Sequence, residues 1–222
     1  LLFLGTGLTP SYNIAQPVLV PDYTEITDER LLNPEAHNWL SYRGTLDGWG
    51  FSRLDEIDES NVQQLEPVWS FSTGVLGGHE APPIVNNGVM FVTTPGNLVY
   101  AIDAASGDLL WRYQHDLPEA YIAFHRTNRG VALYGDKVYT ATLDARVVAL
   151  DAATGRKVWD STVQDNNFGY YITMAPLAID GKILVGTSGG ELGIRGFVVA
   201  LDAETGEEVW RTYTAVSYTH LR

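Results

Sequence analysis

A chain of 222 residues, 45% of them hydrophobic and 18% charged, is long enough to bury a core and too apolar to be a disordered tail. Its 27 acidic against 14 basic residues give a net charge of -13, which repels phosphate backbones and argues against nucleic acid as a partner. With no cysteine, disulfides, thiolate metal sites and cysteine nucleophiles are excluded within these residues, and no run of 18 apolar residues exists to form a transmembrane segment.

In chain order, Leu1-Leu2-Phe3-Leu4 followed by small and turn-forming residues reads as the end of a secretory signal peptide, so residues 1–16 are assigned to a signal remnant and 17–214 to the folded body. The 22 glycines, 6 Trp and 12 Tyr point to many turns between short strands. Helical patterns are scarce, and the best is Ser60 to Leu65, where Ser60 is expected to cap a turn or two. Pro67 to Thr73, with Trp69 at its centre, reads as the last strand of a unit whose other strands are absent.

Three segments then align without gaps: Val99 to Trp111, Val147 to Trp159 and Val198 to Trp210, recurring about every 50 residues. Each holds a strand ending in Asp103, Asp151 or Asp202, a tight turn closed by Gly107, Gly155 or Gly206, and a returning strand that carries the Trp. Upstream of each lies a turn and a strand, beginning at Asn87, Gly135 and Asp180. Four-stranded units at this period are β-propeller blades, so the fold class is all-β, with three complete blades over 81–113, 130–163 and 174–214. Trp111, Trp159 and Trp210 are expected to pack between blades. The three Asp residues are turn residues by the same logic, because a catalytic group would not recur in every blade. Three blades do not close a ring, so the chain is expected to be the N-terminal part of a longer, truncated propeller. Residues 215–222 continue none of the repeat and are set aside as a non-native tail.

The motif Ala-x-Asp-x-x-x-Gly-x-x-x-Trp, three times at this spacing, resembles the quinoprotein dehydrogenases. Asn38 to Gly44, Gly78 to Pro82, Thr127 to Gly130 and Gly186 to Gly196, in that order, resemble the N-terminal half of the methanol/ethanol dehydrogenase group that uses pyrroloquinoline quinone (PQQ) and calcium. The resemblance implies an eight-bladed periplasmic enzyme that oxidises primary alcohols to aldehydes by hydride transfer to PQQ. It further implies a bound calcium, or a lanthanide, as Lewis acid and a cytochrome c or membrane quinone as electron acceptor.

By motif, the resemblance makes Glu80, Arg129, Thr173, Ser188, Gly189 and Gly190 cofactor-binding and Glu191 a metal ligand. The chemistry is consistent: a flat tricarboxylate needs local donors, Arg matches carboxylate in a plane, and glycines admit close backbone approach. Calcium takes 6 to 8 oxygens, so a Glu beside a cofactor oxygen suits it. Taken singly, Glu80 reads as a solvated loop residue, Arg129 as a strand-end surface cation and Glu191 as a turn cap. His79 and His125 have no spacing that suggests a metal site and are read as structural.

One departure stands out. Where the family commonly carries adjacent cysteines over the cofactor, this sequence has Ala123 and Phe124: either an apolar residue such as Phe124 covers the quinone or the site has lost redox function, and the first is expected because a degenerate site would not keep Glu80, Arg129 and Glu191 together. The catalytic base, an Asp in the family, and an Asn metal ligand are expected beyond the last residue of this chain. Two rival readings remain: a non-catalytic propeller of the same repeat that scaffolds envelope assembly, and a membrane-anchored glucose-type quinoprotein. The scaffold has no use for Glu80, Arg129 or the Ser188 to Glu191 turn.

Overall fold

In a computed structural model, the described residues are Val20 and 23–215. The signal-peptide remnant proposed for 1–16 lies outside them, as do residues 216–222 of the proposed tail. Twelve strands form three four-stranded antiparallel sheets, each a simple meander. The first holds β1 (Ile84–Asn86), β2 (Val89–Thr94), β3 (Leu98–Asp103) and β4 (Leu109–Gln114). The second holds β5 (Val131–Tyr134), β6 (Lys137–Ala141), β7 (Arg146–Asp151) and β8 (Lys157–Thr162). The third holds β9 (Leu177–Ile179), β10 (Lys182–Gly186), β11 (Phe197–Asp202) and β12 (Glu208–Tyr213). These are the three blades expected from the repeat. No helix among the described residues is long and apolar enough to cross a membrane.

The repeated turn works as its residues dictate. Asp103 Oδ1 accepts the main-chain N–H groups of Ala105 and Ser106, and Asp202 Oδ1 those of Glu204 and Thr205. Asp151 accepts from the N–H and hydroxyl of Thr154. Each turn ends in a glycine of positive φ, and the preceding blade's Trp lies on it. A Cβ on Gly155 would stand 2.6 Å from the Trp111 ring, and one on Gly206 2.7 Å from Trp159. Both indoles donate Nε1–H to the carbonyl after the turn Asp, Trp111 to Ala152 at 2.9 Å and Trp159 to Ala203 at 3.0 Å. Opposite each Trp across the strand pair stands a small residue, Ala101, Ala149 or Ala200, followed by a break in register. The bulge twists the outer strand locally.

The middle blade, covered on both faces, is the most buried: Tyr139, Ala141 and Val147 to Leu150 are all inaccessible. Trp210 differs from its counterparts. It has no following turn to dock on and stands 39% exposed, so the interblade packing expected of it is not made among the described residues.

Trp69 does dock, with its Nε1 donating to Ala104 O at 3.1 Å and its ring against Gly107, although Pro67 to Thr73 pairs with no described strand. The cap expected at Ser60 is not formed. Asp58 Oδ1 accepts both the N–H and the hydroxyl of Ser60, so this side chain points back, and only a short 3-10 turn, Val62–Gln64, follows. A five-residue helix, α1 (Asp28–Leu32), lies elsewhere, capped by the Thr27 hydroxyl on Arg30 N–H.

Candidate cofactor site

The first strands of the blades lie toward one another: β5 touches β9 of the next blade and β2 of the one before. Glu80, Arg129 and Thr173 each stand just before such a strand, β1, β5 and β9 respectively, so three successive blades deliver one residue each to the same end of the assembly. Because β10 runs antiparallel to β9, the loop after β10 returns to that end. This loop spans 187–196, whereas the equivalent loops of the first two blades are 95–97 and 142–145. The added length carries Ser188 to Glu191.

These residues meet. Arg129 Nε lies 3.1 Å from Glu80 Oε2, its Nη1 donates to Thr173 Oγ1 at 2.6 Å, and its main-chain N–H donates to Thr173 O at 2.9 Å. Thr173 Oγ1 is in turn 3.4 Å from Ser188 Oγ. Tyr171 and Ser188 bridge as antiparallel partners, with Ser188 N–H donating to Tyr171 O at 2.8 Å. The Tyr171 hydroxyl donates to Glu191 Oε1 at 2.8 Å.

Backbone conformation fixes the turn. Gly189 has φ +114, and a Cβ there would stand 2.1 Å from Gly169 O, so only glycine fits. The Gly190 position is open, and Leu192 lies against Gly169 on the other side. Glu191 is exposed; its own main-chain N–H and the Tyr171 hydroxyl hold its carboxyl below the usual carboxylate range. Burial, together with the carboxylate it donates to, pushes Tyr171 up to about 12.

Arg129 is braced from beneath by Asn128, a buried side chain. Asn128 Oδ1 accepts from the Thr93 hydroxyl of the first blade and from Gly130 N–H, and its Nδ2 donates to Ala141 O. Motif reading singled out neither this brace nor Tyr171. The 187–196 loop length was the signal that this blade differs, but nothing in the sequence pairs Tyr171 with Glu191.

Beside Glu80 opens a cleft of about 700 Å³, with His115, Tyr121, Phe124, His125 and Arg126 among its walls. Phe124 is 59% exposed there. His79 bonds Thr73 Oγ1 and Gly77 O within its own loop, consistent with a structural part.

The donor set suits a planar polyanion: a half-exposed guanidinium, two hydroxyls in line with it, and a glycine turn open at Gly190. It supplies less to a metal. Among the described residues no group of three His, Asp or Glu side chains converges, so an ion at Glu191 draws its remaining oxygens from a cofactor or from residues outside this set.

Residues 39–211 match the family model described as PQQ, glucose/ethanol/alcohol dehydrogenase, β-propeller domain. The chain is 44% identical over 186 residues to the quinohemoprotein alcohol dehydrogenase ADH-IIG of Pseudomonas putida, covering 81% of this chain and 26% of that protein. It is 39% identical over 194 residues to methanol dehydrogenase [cytochrome c] subunit 1 of Methylobacterium organophilum, covering 82% and 31%. Among solved structures, a europium-containing methanol dehydrogenase superposes with a TM-score of 0.80 at 37% identity, over 85% of this chain and 34% of that one. The chain thus spans about a quarter to a third of the length of these relatives. With three blades of the expected topology and a family match over most of its length, this chain belongs to the β-propeller family of PQQ-dependent glucose, ethanol and alcohol dehydrogenases.

Proposed function

We propose that the protein carrying this chain is a periplasmic dehydrogenase that oxidises primary alcohols to aldehydes and passes the electrons to a cytochrome c or a membrane quinone. The observation that carries this reading is the continuous contact from Glu80 through Arg129 and Thr173 to Ser188, built from three blades at one end and flanked by Glu191. In this reading Arg129 pairs with a carboxylate of PQQ, Thr173 and Ser188 offer hydroxyl donors, and Glu80 accepts from its polar edge. Gly189 and Gly190 let the main chain approach the ring, and Glu191 ligates calcium or a lanthanide. Bound there, PQQ would supply the hydride acceptor for alcohol oxidation, and the ion would supply Lewis-acid polarisation.

In this reading the contribution of the described residues is binding and orientation, and Phe124, which lines the same cleft as Glu80, covers one side of the quinone. The family match and the alcohol dehydrogenases among the relatives favour this reading over an envelope scaffold, for which the Glu80 to Ser188 chain has no purpose. The europium held by the similar methanol dehydrogenase is the reason for keeping a lanthanide beside calcium.

The test is Glu191→Gln in the full-length protein, reconstituted with PQQ and calcium and assayed with a primary alcohol and an artificial electron acceptor. Wild type is expected to turn over, and the variant to lose most of that turnover with partial rescue at high calcium. An inactive wild type that retains bound PQQ and calcium would contradict the alcohol dehydrogenase reading.

A further inference from the structure

An exposed glutamate on a glycine-rich turn samples several rotamers, and a ligand that must be gathered anew for each binding event binds weakly. Glu191 is instead held. The turn beneath it is fixed by Gly169, whose carbonyl lies against Gly189 and whose Cα faces Leu192. Its carboxylate is fixed by one side chain, Tyr171, at 2.8 Å.

Tyr171 is itself immobile. The residue is 2% exposed, its main chain is bridged to Ser188, and the next residue, Ile172, is fully buried and donates its N–H to Thr142 O in the second blade. The hydroxyl therefore presents a fixed donor to a carboxylate whose other donor is its own main-chain N–H.

We propose that Tyr171 is a positioning residue for the Glu191 carboxylate, orienting it for an ion bound beside the cofactor; this rests on the reading of Glu191 as a ligand. Groups that orient a metal ligand commonly change metal affinity by about 10- to 100-fold when removed. Tyr171 touches neither ion nor substrate in this role. Its bond goes to Oε1 and leaves the second carboxylate oxygen, Oε2, for the ion.

The experiment uses the full-length protein with PQQ bound and terbium(III) as the probe, comparing wild type, Tyr171→Phe and Glu191→Gln. Affinity is read by luminescence titration, and the waters on the ion by lifetimes in light and heavy water. Tyr171→Phe is expected to weaken terbium binding about 10- to 100-fold and to raise the number of bound waters. Its melting temperature should stay within about 2 °C of wild type, since the ring remains packed. Unchanged affinity and hydration in Tyr171→Phe, with binding lost in Glu191→Gln, would overturn the positioning role and leave the ligand reading intact. Terbium binding unchanged in Glu191→Gln would overturn both. A fall in melting temperature at unchanged affinity would assign Tyr171 to the core and refute the proposal.

Discussion

Two glycine turns in this protein look alike locally and serve opposite ends. Gly155 and Gly189 both take positive φ, and a Cβ on either would collide with a neighbour. At Gly155 the neighbour is the Trp111 ring, so the missing side chain admits an indole and joins two blades. At Gly189 it is the carbonyl of Gly169, so the missing side chain lets one loop lie on another and presents Ser188 and Glu191 outward. The first recurs in every blade; the second occurs once, next to Ser188 and Glu191. What repeats holds the frame, and the turn that does not repeat belongs to the proposed cofactor site, the rim.

That division is sharpest in substitutions that strike one side only. Trp159→Ala in the full-length protein removes an indole packed on Gly206 together with its bond to Ala203 O, and is expected to cost about 3 to 5 kcal/mol in denaturant unfolding. An unchanged midpoint would mean that the blades are not joined through these tryptophans.

Between frame and rim sits Asp144, buried with His115 beside it at 3.0 Å. Burial opposes its ionisation, but hydrogen bonds from His115 and Thr142 outweigh this and hold its carboxyl below the usual range. A folded-state value below the unfolded one, near 3.9, adds stability above about pH 4 that is lost as pH falls through the lowered value. Asp144→Asn is expected to cost about 1.5 to 3 kcal/mol at neutral pH and to flatten the acid limb of the stability profile. An acid limb identical to wild type would place its origin elsewhere.

On the rim, Glu80 and Arg129 form an ion pair with both side chains more than 40% exposed. Glu80→Gln is therefore expected to change stability by less than about 1 kcal/mol. PQQ affinity should nevertheless fall, by equilibrium dialysis, because in the proposed site the lost charge faces the cofactor. A variant that melts much earlier while binding PQQ as wild type does would reverse the assignment of Glu80 from site to frame.

The frame was legible because its residues repeat. Three copies of one motif located the strands, the Asp turns and the positive-φ glycines, and the docking of Trp111 and Trp159 followed. Trp210 escaped the same logic because docking belongs to the next blade's turn as much as to the Trp itself. The cap expected at Ser60 failed for a local reason: Asp58, two residues earlier, accepts both of its donors. Helix α1, at five residues, is too short for its periodicity to register.

The rim residues were nameable by resemblance but not derivable from spacing, since Glu80 and Glu191 lie far apart in sequence and only the meeting of first strands brings them together. Tyr171 was missed because its part depends on a hydroxyl emerging from a buried ring beneath a distant turn, a relation that leaves no periodic trace. Ala123 and Phe124 were visible as a departure, and the structure adds that Phe124 walls the cleft beside Glu80.

The most direct test of the division between frame and rim is PQQ uptake by the full-length protein, measured by equilibrium dialysis with and without calcium, for wild type and Arg129→Ala. The account predicts about one PQQ per chain in wild type, and a large loss of uptake in Arg129→Ala with its unfolding midpoint unchanged. A wild type that takes up no PQQ under either condition would contradict it.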